Sequence, residues 1–136
     1  MKKVVLDTNL YIDWINRGLR EGLMLGPGVI RYLSAVVVME LRAGARTRND
    51  RLAIDHLVRA YAGGDRLIAP TTIVFDRAGS LLRTLKLAGR EVRSAAFVND
   101  VLIALTARTL GATMVTANVA DFEAIRDAAP FVLERA

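Results

Sequence analysis

The sequence has 136 residues, and 19 Lys+Arg against 14 Asp+Glu leave a formal net charge of +5. A single domain spanning 1–136 is the expectation for that length, and 53% hydrophobic residues set the composition apart from disordered chains. The absence of Cys excludes disulfide frameworks, thiolate metal sites and cysteine nucleophiles, and no apolar run approaches the roughly 18 residues that a membrane-spanning helix needs.

In chain order, Lys3–Leu6 reads as a strand that leads straight into a helix over Thr8–Asn16. Asp7 cuts the opening apolar run after three residues, too early for a signal-peptide core, so a soluble cytoplasmic protein is expected. Gly18–Gly28 reads as a glycine-rich connection, Val29–Leu33 as a second strand, and Ser34 as the N-cap of a helix over Val36–Ala45. Asn49 or Asp50 caps the next helix, whose stripe of Ile54, Leu57, Val58 and Tyr61 has the spacing i, i+3, i+4, i+7 and which ends at Gly63-Gly64.

Leu67–Ala69 is a short strand. Pro70-Thr71-Thr72 then opens a helix with Val74, Ala78, Leu81 and Leu85 on one face. An apolar helix begins near Asn99 and stops at Gly111. Ala112–Thr116 is a strand, Asp121–Asp127 a short helix and Phe131–Leu133 a last strand. Strand and helix alternate almost throughout. The expected fold class is therefore α/β, with a central, mostly parallel sheet flanked by helices on both faces, and functional residues are expected just beyond the carboxyl ends of the strands.

The informative residues are acids in apolar company. Asp7 follows Val4-Val5-Leu6. Glu40 has Val36, Val37, Ala43 and Gly44 as its helical neighbours, and Asp100 has Ile103, Ala104 and Ala107. A buried carboxylate costs several kcal/mol unless it is neutralised, paired or metal-bound. Taken singly, each has a plain structural explanation: Asp7 caps the helix after it, and Asp100 favours a helix dipole. Taken together, with Asp121 after a late strand, they describe carboxylates converging at one sheet edge. A hard dication relieves their repulsion, and all-oxygen ligands favour Mg²⁺ or Mn²⁺ over Zn²⁺. An acidic metal pocket in a basic, arginine-rich protein suits a phosphodiester substrate.

Other chemistries lack their residues. Gly26-Pro27-Gly28 lacks the Gly-Lys-Ser/Thr ending of a phosphate-binding loop. His56 is the only histidine and reads as a surface or boundary residue, while Trp14 and the four Met read as core. A phosphohydrolase built on an aspartate nucleophile would want a second carboxylate two positions after Asp7, where Asn9 stands, and a late lysine, whereas the last one is Lys86.

Four segments resemble the motifs of the PIN-domain ribonucleases and, within them, the VapC-type toxins of prokaryotic toxin–antitoxin pairs. They are Asp7-Thr8-Asn9, Ser34 to Gly44 around Glu40, Asn99-Asp100-Val-Leu-Ile-Ala104, and Thr116-Ala-Asn118-Val-Ala-Asp121-Phe122. They occur in the family's order and cover nearly the whole chain. The resemblance implies a metal-dependent endoribonuclease in which Asp7, Glu40, Asp100 and Asp121 are catalytic and ligate Mg²⁺ or Mn²⁺, leaving a 5′-phosphate on one product.

It also implies that Thr116 and Asn118 orient Asp121 or the substrate, and that Asn9 supports Asp7 through a hydrogen bond. The fourth acidic position stays open, since some members carry an acid where this chain has Asn118. Arg42, Arg46 and Arg48, with Arg51, are candidate RNA contacts, and Arg83, Lys86, Arg90 and Arg93 form a second stripe. The implied partners are RNA, a small VapB-type antitoxin that occludes the site, often by inserting an arginine, and a second copy in a homodimer, within a larger toxin–antitoxin complex in some cases. The alternatives are a PIN nuclease that is not a toxin, and a catalytically silent PIN-like module that binds nucleic acid or protein.

Overall fold

The computed structural model describes all 136 residues. Its centre is β1 (Lys2–Leu6), whose Val4, Val5 and Leu6 are buried. A strand buried on both faces needs neighbours on both sides and helices above and below. β2 (Val29–Ser34) pairs with β1 on one side and β4 (Thr113–Thr116) on the other. The two-residue β3 (Leu67–Ile68) extends the sheet beyond β2, and β5 (Leu133–Arg135) beyond β4, giving the order β3-β2-β1-β4-β5 with every pairing parallel.

Parallel neighbours require crossover connections, and here helices supply them. α1 (Thr8–Arg17) and the short α2 (Glu21–Leu25) join β1 to β2, and α3 (Ala35–Gly44) and α4 (Arg48–Gly63) join β2 to β3. α5 (Thr72–Leu87) and α6 (Ala95–Leu110) carry the chain back to β4, and α7 (Val119–Ala128) leads to β5. The helices form two packs, α1 with α3 and α4, and α5 with α6 and α7, with α3 also meeting α6. Right-handed crossovers running outward in opposite directions from β1 put these packs on opposite faces of the sheet. The winding reverses at the β1–β4 pair, so the carboxyl ends of these two strands flank the crevice where open α/β sheets bind ligands.

Local chemistry sets the element boundaries, and several depart from expectation, among them α7, which begins at Val119 rather than Asp121. The Gly18–Gly28 connection contains α2. The apolar helix begins at Ala95 rather than Asn99, because the Ser94 hydroxyl accepts from the Phe97 N–H and caps it there. α4 is capped by Thr47, which accepts from the Asp50 N–H while the Asp50 carboxylate accepts from the Thr47 N–H, so Asp50 completes a capping box instead of being the cap. The last strand lies two residues later than Phe131–Leu133. Of the methionines, Met24 and Met114 are core, whereas Met1 and Met39 are exposed, and Trp14 only packs against the core's edge. No helix is long and apolar enough to cross a membrane.

Thr47→Ala removes the hydroxyl from this box and is expected to destabilise the fold by about 1 kcal/mol. Urea denaturation should show a lower midpoint with an unchanged slope.

Candidate active site

Asp7 lies one residue past β1 and is only 5% exposed. Its backbone N–H donates to the Val115 carbonyl at 2.9 Å, extending the β1–β4 ladder by one step. Its side chain caps α1: Oδ1 accepts from the Thr8 N–H at 2.8 Å, and Oδ2 accepts from the Thr116 hydroxyl at 2.8 Å. The carboxylate is thus held from both strands of the crevice. The Thr8 hydroxyl donates to Glu40 Oε1 at 2.7 Å, tying the second acid to the first.

Glu40 and Asp100 occupy equivalent places. Each is the sixth residue of a helix capped by a serine, α3 by Ser34 and α6 by Ser94, and each is half-buried. The position excludes one plain explanation of Asp100, since it lies beyond the first turn, where a carboxylate gains most from the helix dipole. Asp121 is the third residue of α7, and its Oδ1 accepts from Arg90 Nη2 at 2.7 Å.

Burial and like charge both act on this group. Burial, then the charges of Asp7, Glu40 and Asp121, push the Asp100 carboxyl from its ordinary 3.8 up to about 8. Burial raises Asp7 as well, opposed by the hydrogen bonds from Thr116 and Thr8 and reinforced by Glu40. The four expected acids are therefore close enough to repel one another. The chain's five ion pairs reach only Asp121 among them, and Asp100 has neither an ionic nor a hydrogen-bonding partner. In the conformations present, no three acidic side chains close on a common point.

Several expected roles are redistributed. Thr116 orients Asp7 and not Asp121, and Asn118 contributes through its backbone N–H, which donates to the Thr116 hydroxyl at 3.0 Å. Asn9 is exposed and does not bond to Asp7, whose oxygens take the Thr8 N–H and the Thr116 hydroxyl. Arg42 pairs with Asp55 at 2.9 Å, while Arg46 and Arg48 are exposed without an acidic partner. The second arginine stripe is not one helix face: α5 ends at Leu87, Arg93 pairs with Glu91 in the connection to α6, and Arg90 turns inward. The Arg90 guanidinium lies 4.9 Å from the Phe97 ring centroid, and its Nε is buried without an acceptor. His56 is exposed.

Sequence reasoning misses two contributions, the bond of the Thr8 hydroxyl to Glu40 and that of Arg90, which spacing assigns to the second stripe, to Asp121. Thr8 was detectable in principle, as a hydroxyl between a strand-end acid and an inward glutamate. Arg90 was not, because 31 residues separate it from Asp121.

Comparison with solved structures finds the same fold in bacterial toxin–antitoxin complexes. VapBC2 from Rickettsia felis, bound to a promoter DNA fragment, gives a TM-score of 0.74 at 22% identity, with 98% of each chain covered. DNA-bound VapBC from Salmonella typhimurium gives 0.72 at 25% identity, over 99% of this chain and 98% of that one. VapBC-5 from Mycobacterium tuberculosis gives 0.68 at 24% identity, with both chains covered completely. No protein-family profile matches the chain, and neither does any curated protein. The fold is that of the VapC-type PIN domains that the four motifs resemble.

Asp100 retains a proton in the folded, metal-free chain that it gives up when unfolded, across the window from about 4 to about 8. Stability is therefore lost as pH rises through that window. The metal-free protein should melt at a lower temperature at pH 8 than at pH 5, and Asp100→Asn should flatten the difference. A wild-type melting temperature that rises between these values would contradict the placement of the charges.

Proposed function

We propose that this chain is a VapC-type toxin, a ribonuclease that uses a divalent cation held by Asp7, Glu40 and Asp100 to hydrolyse RNA phosphodiester bonds. The observation that carries the reading is Asp100, half-buried, without a counter-ion and within the field of three other acids. Such a group is costly to the fold and serves no structural contact. The donor set is oxygen alone, and the chain has no Cys and one exposed His, which suits Mg²⁺ or Mn²⁺. Arg90 already engages Asp121, so the fourth acid belongs to the rim of the site, beside the three that would take the ion.

A bound cation of this kind makes water a stronger nucleophile and stabilises charge on the leaving oxygen. The protein's own part is orientation. Thr116 and the start of α1 hold the two Asp7 oxygens, and Thr8 holds one oxygen of Glu40 and leaves the other free. Arg46 and Arg48, exposed and without acidic partners, are placed to take RNA phosphates.

An antitoxin partner is part of the same proposal. Trp14, Met24, Leu25, Leu57 and Tyr61 line an apolar groove of about 780 Å³ that nothing in the chain covers, and the similar structures are VapBC complexes. Met39 on α3 and Ile73, Phe75 and Leu87 on α5 are exposed apolar side chains suited to a second copy.

Asp7→Asn and Asp100→Asn should each lower Mn²⁺-dependent RNA cleavage by more than about a hundredfold while circular dichroism stays unchanged, and chelation should stop the wild type. Induced expression should arrest bacterial growth for the wild type and not for Asp7→Asn. Cleavage at the wild-type rate by either variant would refute the assignment. Thr116→Val, which removes a hydrogen bond without removing a ligand, should cost roughly 10- to 100-fold in activity or Mn²⁺ affinity.

A further inference from the structure

Beside the acids, α1, α3 and the start of α4 enclose a second, smaller cleft of about 330 Å³. Glu40 lines it, so it opens onto the acid cluster. Ile12 and Ile15 form one wall, and Leu41 and Ile54 the other. The volume falls at the small end of the roughly 300–1,000 Å³ typical of pockets that hold small molecules. That volume is of the size that one ring system occupies.

The polar groups stand at its mouth. The side chains of Asn16 and Arg46 line the cleft with no hydrogen bond or ion pair to the rest of the chain. Asp50 lies on the same rim with its position fixed, since its carboxylate accepts from the Arg46 and Thr47 N–H groups at 3.2 and 3.3 Å. The arrangement is apolar walls for two ring faces, amide and carboxylate groups for a ring edge, and for the attached phosphate the Arg46 guanidinium, which forms no direct ion pair although its charge reaches Asp50. Single-stranded RNA offers those features, because its bases can be splayed out and read on their edges, and a base taken out of the stack can be held between apolar as well as aromatic side chains.

We infer that the cleft between Ile12, Ile15, Leu41 and Ile54 is a nucleobase subsite that holds one unstacked base of single-stranded RNA next to the bond presented to the acids. The inference rests on the nuclease reading for its choice of ligand. The large Trp14–Tyr61 groove does not serve here, since none of the four acids lines it.

Gly44 supplies a clean test. It lines the cleft, and a Cβ added there meets nothing within 4 Å. Gly44→Leu therefore adds bulk to the cleft lining with no clash at Cβ, and a thermal melt verifies that the fold is kept. The probes are a short single-stranded RNA and an abasic strand of the same length and charge. Their binding to the whole chain is followed by fluorescence anisotropy with Ca²⁺ present.

Wild type should bind the intact strand about tenfold more tightly than the abasic one, from burial of one base against the aliphatic walls. Gly44→Leu should bind both strands with the affinity of wild type for the abasic strand, and Asn16→Ala should narrow the difference. In amide NMR spectra a nucleoside monophosphate should shift Ile12, Gly44 and Ile54, which line this cleft and not the larger groove. Equal binding of the two strands by wild type, full discrimination by Gly44→Leu, or shifts confined to the Trp14–Tyr61 groove would each overturn the inference. These are binding readouts, so loss of cleavage on adding Mn²⁺ bears on the nuclease reading separately.

Discussion

Repulsion among carboxylates is the constraint to which the rest of the structure answers. Four acids gather at the carboxyl ends of β1 and β4, where the sheet's winding reverses, and only one of them has an arginine against it. A fold does not ordinarily tolerate such a concentration. This one manages it by giving Asp7 two strong donors, by tying Glu40 to Asp7 through Thr8, and by letting Asp100 keep its proton up to about 8. The surrounding core supplies the rigidity: Val101, Ile103, Ala104 and Ala107 on α6 are fully buried, so Asp100 cannot move away from its neighbours without disturbing the helix.

Much of this was readable before any coordinates. Alternating short apolar runs and helical stripes predict a parallel sheet, and all four observed pairings are parallel. The acids identified themselves by local chemistry alone, since Glu40 and Asp100 each sit among residues that no solvated helix face would choose. The boundaries that slipped did so for physical reasons. Asp100 drew attention to Asn99 as a helix start, while the capping hydroxyl of Ser94 lay a turn and more upstream, among residues with no apolar period. Asp50 looked like a cap because it makes half of a reciprocal pair with Thr47.

What stayed hidden was the pairing of polar groups across the fold. Thr116 could be placed at a strand end, but whether its hydroxyl served Asp7 or Asp121 depended on β4 lying beside β1, a matter of strand order. Arg90 fell into a helical stripe by spacing, yet α5 ends before it, and its side chain crosses to α7 over the ring of Phe97. The arginines thus divide by environment. One serves the acid cluster from within, several are spent on surface ion pairs that contribute little, and Arg46 and Arg48 keep their charge available to a polyanion.

The hydrogen bond between Thr116 and Asp7 joins residues 109 positions apart. β1 is made well before β4, yet its central position needs β4 beside it. Contacts so distant along the chain form late in folding. A growing chain therefore carries all the makings of its first three acids without the strand that sets them in place. Until β4 docks, the Asp7 carboxylate lacks the Thr116 hydroxyl that fixes it, so the acid cluster takes its final geometry only when the distant strand arrives.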